Sequence, residues 1–281
     1  MKLGFPNNST VDFSDELFPH FTVMEVRALV NQIKSRAPGY DYLTGPLLSK
    51  GWNRLLEYLT IALNKMIDDQ EIPQSINIGI LNLLPKAGKG SALELKDRRP
   101  INILGIFTKR TAQRMMHIAE REQQLHETAF GFRQNRSTVQ CLFILNTIIS
   151  KAKKQKKPIT IGCIDLDKAY DRVPWEKMYA LLEKLGYTGK SLNLIQSLYR
   201  NESVKVCISG ILTNKIFLNK GVKQGCALSP LLFALFVSSL GKILQDAEDR
   251  VRIGNQTMST LFFADDIIII SKSEKRGVRA N

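Results

Sequence analysis

The chain has 281 residues, 44% of them hydrophobic, with 40 Lys and Arg against 26 Asp and Glu and a formal net charge of +14. That is enough chain for one large domain or two smaller ones, and the basic excess suits a phosphodiester partner, although solubility or an anionic membrane would also use it. Four scattered cysteines (Cys141, Cys163, Cys207, Cys226) and three histidines (His20, His117, His126) offer no zinc spacing, and reduced thiols in a nuclear or cytoplasmic, non-secreted protein are expected.

In chain order, residues 1–20 are polar and expected to be poorly ordered. The N-terminus lacks the basic and then apolar pattern of a signal peptide, and no stretch approaches the roughly 20 apolar residues that span a bilayer. Thr22 with Glu25 three residues on has the capping-box spacing for a helix through VMEVRALVNQIKS, which Ala37-Pro38-Gly39 ends. Pro46 to Asp68 predicts one or two helices, Ile76 to Leu84 a strand, and a Gly/Lys-rich loop follows. Ile106 to Gln124 and Thr138 to Lys157 predict helices, the second ending in the basic run KAKKQKKP. A strand over Ile159 to Ile164 precedes helices over Trp175 to Leu185 and Lys190 to Arg200. Val204 to Ser209 and Lys215 to Asn219 predict a hairpin, and Ser229 to Asp246 a helix.

The pair Asp265-Asp266 in TLFFADDIIII breaks an apolar run whose halves each have strand length and strand composition. Burying unpaired carboxylates costs several kcal/mol or more, so a hairpin with the Asp pair at its tip is expected. An acidic surface turn is the plainer alternative. Asp165 ends the strand over Ile159 to Ile164, a second carboxylate position of the same kind. If the two strands are neighbours, their acidic ends converge into an oxygen-only site suited to Mg²⁺ or Mn²⁺. Asp167 and Asp171 lie in the same segment, so composition alone leaves the ligand set open.

These segments, read together, match a family. DLDKAYD, QGCALSPLLF and FADD, preceded by LNLLPKAGKG, DRRPINILGIFTKR and FGFRQNRST, resemble the ordered motifs of reverse transcriptases of the non-LTR (LINE-type) retrotransposons. The likeness runs from about Val23 to Ser271. It implies an α+β right-hand polymerase fold, with fingers over 21–157 and an antiparallel palm sheet over 158–272, followed by a tail over 273–281. It also implies an RNA-directed DNA polymerase that takes dNTPs, a primer and an RNA template, with two Mg²⁺ ions held by Asp165, Asp265 and Asp266.

Further roles follow from the resemblance residue by residue. Lys86 and Arg99 bracket the triphosphate, Gln224 and Gly225 lie beside the nascent base pair, and Tyr170 is the aromatic gate that excludes a 2′-hydroxyl. GKGS is no P-loop, because Leu83 stands where the first glycine belongs and Gly90 follows Lys89. Arg133 and Arg136 precede a helix that Ser137 or Thr138 caps, an arrangement suited to a nucleic-acid phosphate. The family continues past FADD with a primer grip and a helical thumb, and those segments and an endonuclease are expected to be missing here. A non-catalytic RNA-binding relic and a group II intron-type enzyme are the competing readings.

Overall fold

The computed structural model describes residues 11–32, 53–85, 93–97, 103–200, 202–208, 211–223, 225–244, 250–253 and 256–272. It combines helices and sheets, the mixed class the sequence predicts. The chain divides into two compact units, one from Asn8–His117 with Asp171–Ser229 and the other from Ile118–Tyr170 with Pro230–Asn281.

In the first of these units, helix α1 (Ser14–Leu17) begins earlier than the polar N-terminal composition suggests. Phe13, Leu17 and Phe18 are buried, Phe18 stacking on Phe107 at 5.7 Å and Phe13 meeting Tyr187 at 5.6 Å. The expectation of disorder up to residue 20 is therefore corrected over residues 11–20. Phe13 and Leu17, one turn apart, and the adjacent Phe18 outweigh the polar residues around them. Helices α2 (Val23–Asn31) and α3 (Asn53–Asp69) follow, and the expected start of the latter at Pro46 lies outside the described residues. Strand β1 (Ile78–Pro85) pairs antiparallel with β2 (Leu93–Asp97), a strand beyond those the sequence predicts. Helix α4 (Ile103–Arg121) then leads out of this unit into the other.

The capping box at α2 forms as its spacing predicts. Glu25 N–H donates to Thr22 Oγ1 at 3.2 Å, and Thr22 N–H donates to the Glu25 carboxylate at 3.0 Å. Arg110 and Arg114 add donors to the same carboxylate at 2.6 and 3.2 Å. Burial pushes the Glu25 carboxyl up, but the Thr22 N–H, the Arg110 hydrogen bond and the charges of Arg114 and Arg110 outweigh it and leave it below its ordinary value. A depressed folded-state pKa stabilises the fold above the unfolded-state pKa, and the contribution is lost as pH falls through the folded value. Glu25→Gln is accordingly expected to lower the urea midpoint at pH 7, with the gap from wild type closing as pH falls below the ordinary carboxylate range. A pH-independent gap would contradict this account.

After α6 (Trp175–Lys184; α5 belongs to the other unit) and α7 (Gly189–Tyr199), strand β4 (Ser203–Ile208) pairs parallel with β1 and antiparallel with both β5 (Ile211–Leu212) and β6 (Ile216–Phe217). The predicted Val204–Ser209 hairpin thus joins a larger sheet.

The second unit carries helix α5 (Thr138–Lys154), strand β3 (Thr160–Asp165) and most of helix α8 (Ser229–Leu244). A two-stranded ribbon, β7 (Val251–Ile253) with β8 (Gln256–Met258), leads into β9 (Thr260–Phe263) and β10 (Asp266–Ser271). The sheet order is β3-β10-β9, all antiparallel, with the Ile-rich β10 in the middle. Beneath it, Cys141 and Ile148 of α5 share a core with Phe130, Val251, Leu261 and Ile270, and burial pushes the Cys141 thiol up. Among the described residues no helix is long and apolar enough to cross a membrane.

Candidate active site: a carboxylate hairpin and the segment that abuts it

β9 and β10 pair Phe263 with Asp266, which leaves Ala264 and Asp265 as a two-residue loop. Sequence reading placed both aspartates at the tip; only Asp265 is there, and Asp266 already opens β10. Ala264 has φ 55° and is the loop's only residue with positive φ, the sign pattern of a type II′ hairpin turn, whose hand suits the right-handed strand twist. Glycine is usual at that position, and a side chain in the left-handed region costs roughly 1–2 kcal/mol. Asp165 ends β3 directly opposite Asp266. Facing residues of paired strands project from the same side of a sheet, so these two carboxylates are neighbours at its end, with Asp265 next along the turn. Asp165 and Asp266 are exposed and Asp265 is half-buried.

The β3–β10 ladder stops at Asp165, with Asp167 and Asp171 beyond it, the latter in a 3₁₀ turn over Ala169–Arg172. The side chains of Asp165, Asp265 and Asp266 offer oxygen donors only, without His or Cys, a chemistry that suits a hard divalent cation. Among the described residues, no three His, Cys, Asp or Glu side chains are gathered closely enough to hold an ion between them. Side-chain rotation would have to complete such a site.

Tyr170 lies in the same unit, in the 3₁₀ turn that follows β3. Its ring stacks on Phe233 of α8 at 4.7 Å and 17°, and Phe132 approaches it edge-on at 6.4 Å. It is half-buried. Phe132 lies in FGFRQNRST and Phe233 in QGCALSPLLF, but nothing local in either segment signals this contact.

Arg133 corrects an expectation. Its guanidinium is turned inward: Nε and Nη2 donate to the Glu120 carboxylate at 2.8 and 2.6 Å, and Nη1 donates to the carbonyls of His126 and Ala129 at 3.0 and 3.1 Å. With its side chain only 9% exposed and its fork engaged on both sides, it holds the chain and is poorly placed for a template phosphate. Arg136 is exposed, with its guanidinium 5.1 Å from the centre of the Phe130 ring. Ser137, and not Thr138, caps α5, in a capping box with Gln140.

In the unit that holds β1 and β4, the segment that leads to Gly225 is tied down at Gly221 and Lys223. Trp175 Nε1 donates to the Gly221 carbonyl at 2.7 Å, Gly221 N–H donates to the Val173 carbonyl at 2.8 Å, and Lys223 Nζ donates to Asn77 Oδ1. Lys223 also stands 3.7 Å from the buried Glu202 carboxylate. Gly221 and Gly225 both have φ 93°, a conformation that favours glycine. Lys86, Arg99 and Gln224 lie outside the described residues.

Comparison with known proteins agrees with the family resemblance. The chain is 26% identical over 249 residues to a probable RNA-directed DNA polymerase from transposon X-element of Drosophila melanogaster, covering 87% of this chain and 26% of that protein. It is 27% identical over 258 residues to the Pol polyprotein of a type-1 retrotransposable element R2 of Popillia japonica, covering 89% of this chain and 34% of that protein. The chain thus spans a quarter to a third of the length of these two relatives. Among solved structures, a telomerase from Candida tropicalis in complex with a fragment of telomeric RNA is similar in fold. The TM-score is 0.52 at 15% identity, covering 83% of this chain and 41% of that one. Residues 84–280 match the family described as reverse transcriptase (RNA-dependent DNA polymerase). With most of its length inside that match, the chain belongs to the reverse transcriptase family.

Proposed function

We propose that this chain is the polymerase segment of a retrotransposon reverse transcriptase, adding deoxynucleotides to a primer 3′-hydroxyl along an RNA template. The observation that carries the reading is the pairing of Asp165 with Asp266 beside a turn that bears Asp265. The functional division we propose is fingers over 21–157 and palm over 158–272. Asp165, Asp265 and Asp266 would be the residues that hold Mg²⁺. A divalent cation held by these carboxylates would supply Lewis acidity at the attacking hydroxyl and charge neutralisation at the departing pyrophosphate. Lys86 and Arg99 supply cationic donors to the triphosphate, a compact point charge and a planar fork. Gln224 and Gly225 support the nascent pair, and the Tyr170 ring covers the sugar face where a 2′-hydroxyl would project. The test is extension of a labelled DNA primer on an RNA template with Mg²⁺ and dNTPs. Extension that needs no RNA template or no divalent cation would refute the reading.

A net charge of +14 makes template binding a matter of phosphate contacts, so log K should fall steeply with log salt. Arg136→Ala is expected to flatten that slope by about one unit at most. Arg133→Ala should leave the slope nearly unchanged and lower thermal stability instead, because its guanidinium already serves Glu120 and two carbonyls. Fluorescence anisotropy with an RNA probe over a salt series separates the two. Salt-independent binding would contradict the nucleic-acid reading.

A further inference from the structure

The carboxylate turn is buttressed by a segment remote from it in sequence. Phe262 N–H donates to the Thr128 carbonyl at 2.9 Å, and Phe130 N–H donates to the Phe262 carbonyl at 2.8 Å, so residues 128–130 run beside β9 as a parallel bridge centred on Ala129 and Phe262. The next residue, Gly131, reaches the turn itself: a Cβ placed on it would stand 2.4 Å from Ala264 N and 3.1 Å from Ala264 Cα. Only glycine permits that approach, because the clash would be with backbone and not with a side chain that could swing away. The abutting turn is the one whose Ala264 sits in the left-handed region, a conformation that persists where surrounding structure over-determines it.

The buttress is itself locked at both ends. At its start, His126 N–H donates to Ser238 Oγ at 3.1 Å, and His126 Nδ1 shares a 2.8 Å hydrogen bond with Thr128 Oγ1. Thr128 Oγ1 in turn lies 3.4 Å from Thr260 Oγ1, at the base of β9. At its far end, Arg133 gathers the carbonyls of His126 and Ala129 and is clamped by Glu120. A line of contacts therefore runs from Arg133 through residues 126–131 to Ala264 and so to Asp265.

We infer that Gly131 and Arg133 are positioning residues for the carboxylate site: they fix the Ala264–Asp265 turn from behind and so set the aim of Asp265 and Asp266. This rests on the reading of those aspartates as metal ligands given above. Supporting partners of metal ligands are typically worth about 10- to 100-fold in metal affinity, which sets the size of the expected effect.

The experiment compares the wild-type chain with Gly131→Ala, Arg133→Lys and Asp265→Asn. Two readouts are used, hydrogen–deuterium exchange of peptides covering 260–271 and Mn²⁺ binding followed by electron paramagnetic resonance. Arg133→Lys keeps the charge but loses the planar fork. It is the milder change and preserves the test should Gly131→Ala fold poorly. In the folded variants, exchange around 262–266 should rise while helix α7 in the other unit keeps its wild-type protection, and Mn²⁺ affinity should fall about tenfold or more. Wild-type exchange at the turn in folded Arg133→Lys would overturn the buttress. Faster turn exchange with wild-type Mn²⁺ affinity would overturn its role in aiming the carboxylates. A wild-type chain that binds Mn²⁺ no better than Asp265→Asn would instead overturn the metal-site reading beneath it.

Discussion

Asp265→Asn should reduce primer extension by at least about a thousandfold, or roughly 4 kcal/mol of transition-state stabilisation. An amide keeps the size and most of the hydrogen bonding of the carboxylate but lacks the charge on which a divalent cation depends. Asp165→Asn should do the same from the neighbouring strand. RNA affinity should hold or rise slightly, since a negative charge has been removed from a surface that meets phosphates. Steady-state extension and anisotropy on the same preparations separate these outcomes. Extension near the wild-type rate would refute the site assignment. Loss of extension together with RNA binding would point to damage to the fold instead.

Tyr170→Val should change sugar choice. The ring stacks on Phe233 and meets the edge of Phe132, so its plane is held by packing and not by the substrate. Valine keeps an apolar contact but opens the space the ring fills. The ratio of ribonucleotide to deoxynucleotide incorporation is expected to rise by about 10- to 100-fold, the range that steric discrimination in a pocket commonly supplies. Deoxynucleotide use should fall by less than ribonucleotide use gains. Single-nucleotide incorporation with paired dNTP and rNTP substrates measures both. An unchanged ratio would make Tyr170 a packing residue only, leaving the preference for DNA synthesis to another group.

Much of this was legible in the sequence because it is written locally. Strand β10 announces itself as four consecutive isoleucines, and the Thr22 and Ser137 capping boxes depend on spacings of three residues. The family was legible because its motifs are short, ordered and specific. What stayed hidden depends on partners far away in the chain. Nothing in FADD says that Ala264 adopts positive φ in the turn that puts Asp265 at the tip, or that the β3–β10 register sets Asp266 opposite Asp165. Arg133 stands in a basic segment and looks solvated until Glu120 and two carbonyls are seen around it. Gly131 lies within FGFRQNRST, but the backbone it must admit belongs to a residue more than 130 positions later. At the N-terminus the error ran the other way, since polar composition over residues 1–20 concealed the apolar spacing of Phe13, Leu17 and Phe18.

The pairing of Asp165 with Asp266 across 101 positions also constrains how this protein is born. At ribosomal rates of about 5–20 residues per second, β3 waits several seconds or longer for β10 to emerge. Throughout that interval ITIGCID is an apolar strand without its neighbour, a template for any other extended chain nearby. Loop closure over such a span is entropically dear only by a slowly growing logarithm, so the hazard is kinetic and not one of final stability. Any translation product ending between residues 166 and 260 would carry the first carboxylate and the adhesive strand, yet lack the strand β10 that pairs with it.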